Sequence, residues 1–204
     1  MSKRKKTWMQ EHVSDPFVKK ASSEGWRSRA SFKLLEILEQ NDLVTPGMVV
    51  VDLGAAPGGW SQVVSRRVKA CGLVIGVDLL EMSALPQVHF IRGDFLEQNT
   101  LDAVEAKLSD REVGLVISDM APNISGVKSL DQARWLTLAE LAFDFAQQFL
   151  KTGGSVVIKC FEGEGAKEFR ESVKSSFQKV HIRKPKASRD RSSEFFIVGL
   201  NKID

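Results

Sequence analysis

The stretch VVVDLGAAPGGWSQ, residues 49–62, decides the fold. Its first half, VVVDL, is a continuous apolar run broken by a single acid. An apolar run of that length without alternation reads as a strand covered on both faces, the habit of parallel sheets. Its second half is a turn rich in glycine that runs into a helix. Gly54, Gly58 and Gly59 allow close backbone approach and positive φ, and Pro57 stiffens the helix entrance. The free N–H groups of such a helix start can meet a carboxylate or phosphate, so the loop reads as a cofactor cradle. The spacing is G-x-x-P-G-G rather than G-x-G-x-x-G, which disfavours a dinucleotide-dependent oxidoreductase.

Working outward, β-branched runs alternate with stretches of helical periodicity. Strands are predicted at residues 48–53, 72–79, 88–94, 113–120, 154–161, 179–183 and 194–200. Helical spacing of apolar residues covers 28–40, 58–68, 96–108, 131–150 and 166–177. This alternation predicts an α/β, Rossmann-like domain: a seven-stranded, mostly parallel sheet with helices on both faces. The last two strands have no helix between them, so they pair antiparallel at the sheet's edge, which leaves one antiparallel strand in the sheet. In a sheet of this type ligands bind beyond the carboxyl ends of the strands. Asp78 ends VIGVD and is placed to accept ribose hydroxyls. Asp94, in IRGDF, ends the next strand, where a carboxylate can reach an adenine amino group.

The chain has 204 residues, enough for one substantial core and too few for two. Neither a secretory h-region nor an apolar run of membrane-spanning length is present in the sequence. Cys71 and Cys160 lie far apart in apolar surroundings, and His12, His89 and His181 are scattered, so neither a disulfide framework nor a metal site is expected. The net charge of +3 is unevenly spread. Residues 1–33 carry nine Lys and Arg against three acids, and residues 178–191 carry six against one, which leaves the middle of the chain strongly acidic. Two basic segments of this kind suit a polyanion lying across one face. Trp8, Trp26 and Phe17 are expected to anchor the N-terminal segment on the domain, and Trp135 to be core.

Taken together, DLGAAPGGWSQ, GVDLL, GDF, SDMAPNISG, GGSVVIKCFEGEG and SRDRSSEFFIV closely resemble the FtsJ/RrmJ family of RNA ribose 2′-O-methyltransferases. More narrowly, they look like its bacterial ribosomal RNA large-subunit methyltransferase E branch, from the WMQEHVSDPFVKKA segment to the final strand. The resemblance implies the family's Lys-Asp-Lys-Glu catalytic tetrad at Lys33, Asp119, Lys159 and Glu194. It implies S-adenosylmethionine as cofactor, bound by Gly54, Gly58, Trp60, Asp78, Asp94 and Asp119, with no metal. It further implies methylation of a uridine ribose in 23S ribosomal RNA by a cytoplasmic monomer, with the assembled large subunit as partner and no membrane. RNA-binding roles fall to Lys3, Arg4, Lys5, Lys6, Arg27 and Arg29 at one end, and to Arg183, Lys184, Lys186, Arg189 and Arg191 at the other. Residues 1–30 would then be a basic RNA-binding segment and residues 31–204 a single methyltransferase domain. Transfer RNA or a messenger cap as substrate, and a non-catalytic RNA-binding assembly factor, are the competing readings.

The predicted topology agrees with that tetrad. Asp119 and Lys159 follow the fourth and fifth strands at their carboxyl ends. Glu194 opens an antiparallel strand, whose start lies at the same edge. Lys33 sits on a helix that can cover it. Attack by a ribose hydroxyl needs an in-line nucleophile relieved of its proton, and Lys159, fixed by Asp119, is the expected general base or orienting group.

Overall fold

The computed structural model describes residues 14–189 and 192–204. A short helix α1 (Pro16–Ser23) and a second, α2 (Ser31–Gln40), precede the sheet. There follow β1 (Val49–Leu53), α3 (Gly59–Val68), β2 (Leu73–Asp78), β3 (Val88–Arg92), α4 (Gln98–Leu108), β4 (Val113–Ser118), α5 (Lys128–Phe149), β5 (Leu150–Phe161), α6 (Ala166–Ser176), β6 (Phe177–Arg183) and β7 (Glu194–Lys202). The strands form one sheet in the order β3-β2-β1-β4-β5-β7-β6. β7 runs antiparallel to both β5 and β6, and every other pairing is parallel. The seven predicted strands and the single reversed one are therefore present.

Two apolar layers cover the sheet. Val51, Leu53, Ile75, Val116, Ile158 and Ile197 point to the face packed by α4, α5 and α6. Val50, Val74, Leu115, Val157, Phe196 and Val198 point to the other, against α2 and α3. Alternation along each strand sends successive side chains to opposite faces, so both layers come from the same strands and the central ones read as unbroken apolar runs. Trp135 is buried in the first layer, as expected.

Departures from the sequence reading are local. Helix α1 was not anticipated; it starts where Asp15 accepts a hydrogen bond from the Phe17 N–H at 2.9 Å and Pro16 occupies the first turn. Its apolar side is small, Phe17 and Ala21 in a minor cluster with Phe32 and Ala187 and with Trp26 and Leu35 at its edge, too little for a clear periodic signal. Helix α5 begins at Lys128 rather than at residue 131. β5 begins at Leu150, whose sequence pattern predicts helix, because Leu150 pairs with Val113 across an irregularity in the ladder.

Candidate active site

The carboxyl ends of β1, β2, β4 and β5 converge with the start of β7. Ser118, the last residue of β4, is in register with Ile158 of β5, so the next residues along, Asp119 and Lys159, emerge side by side. Across the antiparallel pair, Lys159 faces Phe196 and Phe161 faces Glu194. Lys159 and Glu194 therefore share the face covered by α2. Helix α2 brings Lys33 down onto that face, its ammonium 5.5 Å from the Phe196 ring centre.

The four side chains form an alternating ring of charge. Lys33 Nζ lies 2.7 Å from Glu194 Oε1 and 3.8 Å from Asp119 Oδ1; Lys159 Nζ lies 3.0 Å from Asp119 Oδ1 and 3.9 Å from Glu194 Oε2. Lys159 also donates to the Asp119 carbonyl at 3.3 Å. All four are largely withdrawn from water, with side-chain exposures of 8–17%. Each charge offsets the desolvation of its neighbours, and removal of one would strand another. Burial pushes the Glu194 carboxyl up, but the charge and hydrogen bond of Lys33, aided by Lys159, outweigh it and hold Glu194 below its ordinary value.

Asp119 also belongs to an adjoining cavity of about 480 Å³, whose wall includes Gly54, Asp78, Asp94, Leu80 and Phe95. Asp78 is held by the N–H groups of Ala56 and Leu80, both at 2.8 Å, and Asp94 by that of Leu96 at 3.0 Å. A carboxylate has about four lone-pair directions, so both acids keep capacity toward a ligand. Leu79, 64% exposed, and Leu80, 68% exposed, line the same space and offer an apolar bed for a flat ring. The leucines were missed in the sequence; their signal is a pair of apolar residues just past a strand end, where a turn would ordinarily be polar. Gly54, Asp78, Asp94 and Asp119 are thus brought to one wall. Gly58 and Trp60 lie outside it. Trp60 is buried, its indole N–H donating to the Ala30 carbonyl at 2.8 Å beneath the loop. Gly58 takes φ +101°, and a side chain there would meet Met82, Arg27 and Leu85.

Asp52 is buried behind this wall and accepts a hydrogen bond from the Ser61 hydroxyl at 2.6 Å. That bond ties β1 to the first turn of α3. A wider cleft of about 590 Å³ at the amino ends of the strands holds no comparable set: Arg111 there is bound to the Gly47 and Cys71 carbonyls. Among the described residues no group of three His, Cys, Asp or Glu side chains is arranged for a metal, and no helix is long and apolar enough to cross a membrane.

The two basic segments, distant in sequence, meet in space. Arg29 donates to the Ala187 carbonyl and pairs with Asp15 at 2.7 Å, and the Lys186 N–H donates to Glu36 of α2 at 2.8 Å. Arg183 reaches Asn41 at 3.2 Å and Lys184 the Ser192 carbonyl at 3.1 Å. Lys184 and Lys186 are exposed and Arg189 is half-buried. Arg27 is committed elsewhere: its guanidinium donates to the carbonyls of Pro57, Ser83 and Ala84 at 3.2, 2.6 and 2.7 Å, and so braces the glycine-rich loop. Phe17 and Trp26 pack on the domain as anchors. Lys3, Arg4, Lys5, Lys6, Trp8, His12 and Arg191 lie outside the described residues.

The family model for FtsJ-like methyltransferases matches residues 26–202. A Stenotrophomonas maltophilia protein named ribosomal RNA large subunit methyltransferase E is 54% identical over 98% of this chain and 96% of its own. A protein of the same name from Methylobacillus flagellatus is 52% identical over 97% of this chain and 95% of its own. Among solved structures, a Plasmodium falciparum protein described as a ribosomal RNA methyltransferase superposes with a TM-score of 0.76 at 30% identity, covering 87% of this chain and 98% of that one.

Proposed function

The chain belongs to the FtsJ-like methyltransferase family, and from that premise we propose that it transfers a methyl group from S-adenosylmethionine to the 2′-hydroxyl of a uridine in 23S ribosomal RNA. Its substrate on this reading is the assembled large subunit in the cytoplasm, and the protein acts as a monomer. One observation carries the proposal: Asp119 is at once a member of the buried Lys33–Glu194–Lys159 cluster and part of the wall of the cavity bounded by Asp78 and Asp94. The names of the relatives support the choice of ribosomal RNA.

The donor set of the cavity fits the cofactor. Asp78 suits ribose hydroxyls, Asp94 the adenine amino group, and the exposed leucines the faces of the purine. S-adenosylmethionine held there supplies an electrophilic methyl group. Asp119 fixes the Lys159 ammonium by two contacts, to its carboxylate and to its carbonyl. Lys159 then takes the proton of the attacking hydroxyl as its general base, or orients the hydroxyl in line while that proton passes to solvent, and positioning of that kind supplies a large share of such a rate. Glu194 and Lys33, paired at 2.7 Å, complete the field and hold the ribose. Lys184, Lys186 and Arg189, with the basic residues at the chain's start, grip phosphates, which gives salt-dependent affinity with little sequence choice.

The test is incubation of the protein and tritiated S-adenosylmethionine with large subunits from cells lacking the corresponding gene. One alkali-resistant 2′-O-methyluridine in large-subunit RNA is expected, and its loss in Lys159→Ala with cofactor affinity retained. Methylation of transfer RNA instead would overturn the substrate; normal turnover by Lys159→Ala would overturn the role of that lysine.

A further inference from the structure

The turn between β4 and α5, with the first turn of α5, carries large apolar side chains that nothing in the described fold covers: Ile124 is 84% exposed, Val127 56% and, on the helix, Leu130 42%. The backbone beneath them is held. Asp131, in the first turn of α5, accepts from the N–H of Ser125 at 2.7 Å, from the Ser125 hydroxyl at 2.7 Å and from the N–H of Gly126 at 3.0 Å. The Ser125 hydroxyl in turn accepts from the Val127 N–H at 3.2 Å, and Arg134 donates to the Asn123 carbonyl at 3.3 Å. A polar clamp therefore presents an apolar tip to water.

The tip adjoins the reaction centre. Asn123, one residue before Ile124, is part of the cavity wall that includes Asp119, and consecutive Cα atoms are about 3.8 Å apart. On the far side of the turn, Gln132 donates to the Glu164 carbonyl at 3.1 Å, which ties the start of α5 to the loop that follows β5, the strand of Lys159. Ile124 thus stands at the rim of the cleft, beyond the strand ends that supply Asp119 and Lys159.

A ribose inside an RNA helix can reach such a cleft only when its nucleotide leaves the stack, and the displaced base then needs an apolar surface in place of its former neighbours. The lysines and arginines of the basic face answer phosphates and leave that need unmet. A protein partner would require far more area, about 800 Å² on each side, than the side chains of one turn provide. We propose that Ile124, with Val127 beside it, is the surface on which the base of the target nucleotide comes to rest, and that Asp131 is the positioning residue that holds it there. The inference rests on the reading of the protein as an RNA methyltransferase.

Ile124→Ser, Ile124→Met and wild type are compared on unmethylated large subunits. Because the residue is exposed, both variants fold and bind S-adenosylmethionine as wild type does. Ile124→Ser should lose about tenfold in kcat/KM for the subunit, the order expected for one apolar contact, and Ile124→Met should keep nearly the whole rate. A p-benzoylphenylalanine at position 124, irradiated on the subunit, should crosslink to RNA. Wild-type rates in Ile124→Ser, or a crosslink to ribosomal protein, would overturn this inference alone. A wild-type protein that transfers no methyl group to RNA would overturn the functional reading and the inference together.

Discussion

Replacing Asp52 by asparagine should change how stability depends on pH. Asp52 is 1% exposed and is hydrogen-bonded by Ser61, through its hydroxyl and its backbone N–H. Burial pushes its pKa up from 3.8 to about 7; the Ser61 hydroxyl pulls it partly back, and the charges of Asp119 and Asp78 push it further up. The folded protein therefore retains a proton that the unfolded chain releases. Stability from this group is fullest below 3.8, declines as pH rises from there, and levels off above about 7. Each pH unit in that window costs about 1.4 kcal/mol, so from pH 5 to pH 8 the wild type loses about 3 kcal/mol. Asp52→Asn preserves the shape and an acceptor for Ser61 and has no proton to lose. Whatever its offset at pH 5, the variant should gain on wild type by about 3 kcal/mol by pH 8, or about 6–12 °C in Tm for a chain of this length. Urea unfolding of both proteins at pH 5, 6, 7 and 8 measures the difference. A gap that stays constant within about 0.5 kcal/mol, or that widens in favour of wild type, would refute the reasoning.

Four further variants have expected outcomes. Gly54 takes φ +75° and a side chain there would fall 2.4 Å from Met120 Cγ, so Gly54→Ala should cost about 1–3 kcal/mol in stability and weaken cofactor binding, read by calorimetric titration with S-adenosylmethionine. Arg27→Ala releases the carbonyls of Pro57, Ser83 and Ala84; it should raise the KM for the cofactor and leave the salt dependence of RNA binding unchanged, whereas Lys186→Ala should reduce that salt dependence. The folded pKa of Glu194 is lowered, so its contribution is present above the ordinary value of 4.5 and lost as pH falls through the lower folded one. Glu194→Gln should therefore flatten the acid limb of stability below pH 4.5, followed by circular dichroism.

How much was legible in the chain depends on the range of the interaction involved. The strands announce themselves because both faces of the central sheet are covered, so VVVDL and VGLVIS contain hardly a polar residue. The reversed β7 was legible from the lack of a helical pattern between residues 183 and 194. Asp119, Lys159 and Glu194 could be placed at one edge because strand direction alone determines which end each occupies. Helix α1 was not legible, since its few apolar side chains pack on residues outside the helix, Phe32, Leu35 and Ala187 among them. Nor were the start of β5 at Leu150 and the extra turn of α5, where ladder pairing with Val113 and the Asp131 clamp override local preference.

By itself, the sequence determined the class of fold, the order of its elements and the acids and lysines that stand at the strand ends, because those follow from periodicity and from residues adjacent in the chain. Only the tertiary structure decided what each side chain is free to do. It closed the tetrad into a ring with contacts of 2.7 and 3.0 Å, joined the two basic segments through Arg29 and Ala187, set the Arg27 guanidinium against the carbonyls beside the glycine-rich loop, and buried Asp52 where its charge is costly. Those outcomes depend on distance, burial and competing partners, which arise only when segments far apart in the chain are packed against one another.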